Sequence, residues 1–324
     1  MRVAFFMPAR GCGRRCVYCD QRAITRDAGG DGELTPDSVR AFLSRYSEPV
    51  ELCFFGGSFA RLERGLFTRF LDAIKSAPPG SSVTFSSYPG DFEGEYGEET
   101  AEILKKYPIG TIELGIPTLD PDALASCGRG DDPDAAVRVV EFLRDAGFHL
   151  GVQVMIGLPG QTDESSTRDV KRLASLMGGG MRCDFRLYPC LVLKGTELEA
   201  MFLRGEYRPL ALEDAVRTSG MLLSEAESSG FDAIRVGLLE SPSLKESVTA
   251  GPYHPAFGEL ALSEKLALEL SHENPSGPWR IERRLISRMT GHGRRGIKRL
   301  AELTGMTVRE VESKLSTSAL IKCS

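Results

Sequence analysis

Absent from this chain of 324 residues is a second C-x2-C pair. Of its eight cysteines, Cys53 lies in an apolar, strand-like run, and Cys127, Cys183, Cys190 and Cys323 stand singly. A structural zinc wants four protein ligands, usually as two separated pairs, and a cluster that only carries electrons wants four cysteines, so neither closed site is complete. Thiols without a paired framework fit a reducing compartment, where they serve metals and not disulfides. Long apolar runs are missing too. None reaches the roughly 18 residues that would cross a bilayer, and the N-terminus lacks the charged, apolar, small order of an export signal. A cytoplasmic location without membrane association is expected. Neither sign of charge dominates, at a net −5, and no short internal repeat points to a solenoid.

What is present begins with Cys12, Cys16 and Cys19, spaced C-x3-C-x2-C directly after a short apolar run. Three thiolates on one loop are one ligand short of closing a metal site, and an open position separates a catalytic site from a structural one. A four-iron cluster with one open iron and a lone zinc knuckle are both compatible with the spacing. Downstream, short β-rich segments alternate with longer amphipathic ones, the pattern of βα units and a parallel sheet. Strands are predicted near 2–6, 50–55, 82–87, 111–116, 149–155 and 183–188, with helices near 36–46, 63–76, 97–106, 133–146 and 163–177. The expected fold is α/β, a partial (β/α)6 TIM-type barrel with a small, mainly helical C-terminal region. Its chemistry belongs at the carboxyl ends of the strands, and the cysteine loop follows the first of them. Beyond residue 190, helices are predicted near 196–204, 212–229 and 256–270, with a strand near 232–238. The expected division is a barrel and its extension over 1–240, a tail motif and linker over 241–278, and a basic helical segment over 279–324.

Single positions carry two readings each. Gly56-Gly57-Ser58 after the second strand is either a plain turn or a place where backbone approaches a ligand closely. Glu113 falls on the inward face of the fourth strand, where a carboxylate is either functional or paired to a base. Arg129, between Gly128 and Gly130, reads as a solvated loop residue or as a fork for a carboxylate. Gln153, in the fifth strand, is a core-strand residue or a polar ligand contact. His254, between two prolines in Ala250–Gly258, is a structural loop residue or a substrate contact.

The loop Pro8-Ala9-Arg10-Gly11-Cys12-Gly13-Arg14-Arg15-Cys16-Val17-Tyr18-Cys19 resembles the cluster loop of the radical S-adenosylmethionine superfamily. That resemblance implies a 4Fe-4S cluster on Cys12, Cys16 and Cys19, with the open iron chelated by the amino and carboxylate groups of S-adenosylmethionine. Reductive cleavage of the cofactor to a 5'-deoxyadenosyl radical would follow, with reduced flavodoxin or ferredoxin as electron donor. It also implies cofactor contacts for Tyr18, Gly56, Gly57, Ser58, Glu113, Arg129 and Gln153. Gly57 and its neighbours would meet the amino group, Arg129 the carboxylate and Gln153 the ribose. Pro117 stands where relatives place a ribose-binding glutamine, and Asp131 where an Elongator-like branch has histidine.

The segment Phe185-Arg186-Leu187-Tyr188-Pro189 through Gly195-Thr196 is similar to one marking the radical domain of the Elongator catalytic subunit, and the likeness covers roughly residues 1–240. About 80 residues remain, too few for that enzyme's acetyltransferase domain. Ala250–Gly258 resembles a tail motif of shorter, stand-alone bacterial members. Residues 279–299 carry eight Arg or Lys against one acid, Glu282, and 300–311 have helix-turn-helix rhythm, either a phosphate-backbone grip or a packing cap with a solvated face. The expected substrate is RNA, a transfer RNA nucleoside. A porphyrin-type small molecule and a non-catalytic cluster protein binding RNA or a protein partner are the alternatives.

Overall fold

The organising element is a seven-stranded, wholly parallel sheet, β1 (Arg2–Phe6), β2 (Glu51–Phe55), β3 (Ser82–Ser87), β4 (Ile109–Gly115), β5 (Leu150–Ile156), β6 (Cys183–Pro189) and β8 (Phe231–Val236), hydrogen-bonded in that order. The structure is a computed structural model and describes residues 1–25, 34–176 and 182–318. Residue 177, the predicted end of one helix, Cys323 and the last residues of the predicted basic segment lie outside the described residues. The sequence reading counted six barrel units; Phe231–Val236 joins the sheet as a seventh parallel strand, beside β6. Between β6 and β8, the short β7 (Val192–Leu193) pairs antiparallel with β9 (Val248–Ala250). Among the described residues no helix is long and apolar enough to cross a membrane.

Helices α2 (Pro36–Leu43), α3 (Arg64–Asp72), α4 (Gly94–Leu104), α6 (Pro133–Asp145), α7 (Asp163–Leu176), α8 (Glu197–Leu203) and α9 (Leu212–Ser228) follow the predicted pattern, and the short α1 (Gln21–Thr25) and α5 (Pro121–Ser126) add to it. Their starts are written locally: Asp120 and Asp132 each accept from backbone N–H groups of the first turn, with proline next in line. One sheet face packs against these helices through a single apolar core. Stacked Phe54 and Phe59, 4.6 Å apart between ring centres, lie at its heart with Phe85 5.0 Å from Phe59. Strand alternation sends the other residues into the barrel interior. On β6, Phe185 and Leu187 are buried in the core, whereas Asp184, Arg186 and Tyr188 are half-buried on the opposite face.

The C-terminal region is built on α11 (Phe257–Glu273), which follows the short α10 (Pro242–Ser247). Phe257, Leu260 and Ala261 of α11 join the main core, and Leu266, Ala267 and Leu270 join a second one. That second core takes Met289, Ile297, Leu300 and Ala301 from α12 (Ile286–Thr304) and Val311 from α13 (Val308–Lys314). Residues 279–282 and 315–318, read from the sequence as helical territory, form strands β10 (Trp279–Glu282) and β11 (Leu315–Ser318), paired parallel. The Trp279 indole donates to the carbonyls of Leu270 and Asn274, both at 2.9 Å, and so satisfies the end of α11. The α12–α13 turn has helix-turn-helix form: Gly305 is left-handed, at φ 70°, and Thr307 and Glu310 cap α13 reciprocally.

Candidate active site

The cysteine loop leaves β1 at the carboxyl end of the sheet and is clamped to the β2 loop by backbone. Ala9 N–H donates to Gly56 O at 2.7 Å, and Ser58 N–H to Arg10 O at 2.8 Å. Two glycines make this approach possible. A methyl group at Gly11, which is left-handed at φ 75°, would overlap the Ser58 carbonyl, and one at Gly57 would overlap the carbonyls of Arg10 and Met7. Farther along, Val17 N–H donates to Cys127 O at 3.1 Å, and Val17 O accepts from Leu198 N–H at 2.9 Å. The loop is therefore held from three sides.

Its three thiols face one another's charge. Burial, followed by the neighbouring Cys16, raises the Cys12 thiol, and the same two causes push Cys19 up to about 11. Such crowding of prospective anions is relieved by metal, which binds the thiolate form. Two of the sulfurs have a donor aimed at them: Gln21 Nε2 at 3.5 Å from Cys19 Sγ, and Arg129 Nη1 at 3.8 Å from Cys16 Sγ. Among the described residues no three His, Cys, Asp or Glu side chains converge on a point that one metal ion would occupy. Three ligands that each bind a different iron of a cluster need no such point, so the donor set fits a cluster.

The remaining expected contacts divide by geometry. Gly57 makes no backbone or side-chain hydrogen bond among the described residues. The Ser58 hydroxyl is 3% exposed; it donates to Asp91 and accepts from Tyr88 N–H at 2.9 Å. Burial pushes the Asp91 carboxyl up to about 6. Glu113 is paired, the second of its two sequence readings. Arg186 donates to it from the adjoining inward face and lies over the Phe55 ring, with 5.3 Å to the ring centre. Burial raises the Glu113 carboxyl, against the pull of Arg186. Gln153 stands one register step from Gly115 on β4 and Arg186 on β6, half-buried, its amide without a partner among the described residues. Tyr18 packs beside Cys127, Met155 and Leu158, its hydroxyl near Cys16.

Arg129 is 9% exposed and no solvated loop residue. Its Nε donates to Asp131 at 2.8 Å and its Nη2 to Gly115 O at 3.1 Å. Tyr88 donates its hydroxyl to the same Asp131 at 2.6 Å. His254 lies apart from this constellation: its Nδ1 accepts from Ala256 N–H at 3.0 Å, and its ring meets that of His292, 6.2 Å between centres. Sequence reasoning passed over Arg186, Asp91 and Tyr88. For Arg186 a signal existed, an inward-facing position in a quoted motif; Asp91 and Tyr88 sit in a loop without periodicity.

Known proteins are similar to parts of this chain. The tRNA uridine(34) acetyltransferase of Methanocaldococcus jannaschii is 31% identical over 165 residues, 51% of this chain and 29% of that protein. The heme chaperone HemW of Lactococcus lactis is 26% identical over 172 residues, 51% of this chain and 44% of that protein. The chain thus spans less than a third of the length of the first curated relatives it matches. In structure, the archaeal Methanocaldococcus infernus Elp3 with an N-terminal deletion superposes with a TM-score of 0.58 at 20% identity, over 84% of this chain and 62% of that one. The radical SAM C-terminal domain profile matches residues 184–267, and the radical SAM superfamily profile matches residues 6–173. With more than half of its length so matched, the chain belongs to the radical SAM superfamily, enzymes that use a 4Fe-4S cluster and S-adenosylmethionine.

Proposed function

We propose that this enzyme modifies a nucleoside of transfer RNA. The supporting observation is the 31% identity to tRNA uridine(34) acetyltransferases over about half of this chain. Cys12, Cys16 and Cys19 would hold the cluster. When bound, the cluster and cofactor supply an electron and a 5'-deoxyadenosyl radical for hydrogen abstraction. The chain's own residues do the positioning. Gly57, whose carbonyl takes no hydrogen bond among the described residues, would meet the cofactor's amine, with Gly56 and Ser58 fixing its place. Gln153 presents a free amide toward the ribose, and Tyr18 walls the cysteine side. Glu113, paired with Arg186, would contribute a fixed polar group on the inward face. Reduced flavodoxin or ferredoxin supplies the electron.

The C-terminal segment 279–324 is assigned to RNA contact. Half of its basic run is neutralised internally: Arg284, Arg294, Arg295 and Arg299 pair with Glu282, Glu312, Glu213 and Glu264. Arg280, Arg283 and Lys298 are exposed and take no ion pair among the described residues. These three are the phosphate contacts proposed. Deleting 279–324 would strip the apolar face of α11, so charge reversal is the sound test. Retention of transfer RNA should fall on changing Arg280, Arg283 and Lys298 to Glu, with a salt slope flatter by about 1 per contact removed. The reaction is read by mass spectrometry on reduced, anaerobically reconstituted enzyme. Transfer RNA should raise 5'-deoxyadenosine yield and change in nucleoside mass; unchanged RNA and yield would sink the reading. The likeness to a heme chaperone favours a second reading, a porphyrin-type ligand, which the same assay detects as stimulation by porphyrin and not RNA.

A further inference from the structure

Each of the three guanidinium nitrogens of Arg129 has a partner inside the protein. Nε and Nη2 are engaged by Asp131 and Gly115 O, Nη1 is aimed at the Cys16 sulfur 3.8 Å away, and the plane lies over Tyr88, 5.1 Å from the ring centre. A fork that grips a carboxylate needs two neighbouring N–H groups directed outward. Here three of the five N–H groups are engaged inside the protein, Nε and Nη2 by Asp131 and Gly115 O, and Nη1 is committed to the Cys16 sulfur.

We infer that Arg129 acts on the cluster through Cys16, donating an N–H···S bond to a ligand sulfur and raising the cluster's reduction potential. This rests on Cys16 being a cluster ligand. Reduction adds negative charge to a cluster, and hydrogen bonds to its sulfurs together with local charge set its potential. The charge balance beside the loop has the required sign. Asp131 is shared by Arg129 and Arg14, the latter at 3.3 Å, and Arg14 also donates to the Arg129 carbonyl. Two cations stand against one anion. Asp131 and Tyr88 are the positioning residues that hold the guanidinium at the sulfur, which gives Asp131, a departure from the Elongator-like pattern, a task of its own.

The test is an EPR-monitored redox titration of the reconstituted full-length chain, wild type against Arg129→Gln, with S-adenosylmethionine affinity measured on the same samples. The expected potential is more negative by at least the roughly 59 mV of a tenfold one-electron change, while affinity stays within about threefold. An unmoved potential with affinity lowered about tenfold or more overturns the inference and returns Arg129 to the cofactor carboxylate. If Arg129→Gln loads too little iron to titrate, Arg129→Lys, which keeps charge but loses the fork, carries the test. A smaller negative shift supports the inference and an unchanged potential overturns it. Iron and sulfide content of the wild type is read first, because a chain without a four-iron cluster fails the Cys16 assignment and not this one.

Discussion

Ser58 and Asp91 show how a side chain marked by its neighbours can serve the scaffold. The Ser58 hydroxyl holds a buried carboxyl, and its backbone N–H ties it to Arg10 of the cysteine loop. Because burial raises Asp91 to about 6, its charged form is the unfavourable one in the folded chain. The stability this group allows is intact below its unfolded value near 4 and is lost as pH rises through 6. Asp91→Asn, which can still accept from Ser58, is therefore expected to remove that decline. Its melting curve should be flatter across pH 4 to 7, with a relative gain on the order of 2 kcal/mol at neutral pH. A parallel decline in both proteins would refute this. Gly11 is the second point. A methyl there meets both a left-handed backbone and the Ser58 carbonyl, so Gly11→Ala should lose most bound iron while far-ultraviolet circular dichroism stays native. Normal iron content would show that the loop can relax.

At the scale of elements, α11 joins two cores and is secured by buried charge on both flanks. Glu264, 1% exposed, pairs with Arg299 of α12 at 2.7 Å, and Lys265 pairs with Glu227 of α9 at 2.6 Å. Trp279 closes its end. Trp279→Ala removes a fully packed ring and two carbonyl contacts, for which about 3–5 kcal/mol is the usual loss. Hydrogen exchange should report that loss as early opening of 279–318 with β1–β6 still protected; uniform acceleration would mean that the two cores unfold together. These elements also show where the sequence was readable. Strands β1 to β6 were placed within two residues because Val, Ile, Leu and Phe runs sit between helix caps such as Asp120 and Asp132. The four residues of β10 alternate Trp, Arg, Ile, Glu as a strand should, but they run straight into Arg283 and Arg284, and the pattern was absorbed into a basic helix. Nor did periodicity reveal the break in α12, where Gly291 to Arg294 leave helical geometry.

For the whole molecule, the two outermost strands of the sheet, β1 and β8, are not paired with each other, so the half-barrel has a seam. On that side α10 meets α1, the helix that follows Cys19, with Ser243 donating to Ala23 O at 3.0 Å. An unclosed barrel suits a substrate too large to be swallowed, and the transfer RNA reading predicts accordingly. Reversal at Arg280, Arg283 and Lys298 should raise KM for RNA and spare the kcat for cofactor cleavage; equal loss in both would point to the barrel instead. Of the site, the sequence disclosed the three-cysteine loop and the strand that leads into it. It could not disclose pairings between residues far apart in the chain, such as Glu113 with Arg186 across the intervening β5, or Arg129 with Cys16 between two loops, since these depend on how the strands and loops are brought together in space.

The clamp on the cysteine loop has a consequence for how the enzyme matures. The stretch around Cys12 takes its shape from residues 56–58, which emerge early in synthesis, but Val17 is fastened by residues 127 and 198. A nascent chain shorter than about two hundred residues thus carries all three cysteines without the walls that hold them. A cluster held by these cysteines would therefore find its full cradle only once residues 127 and 198 are in place.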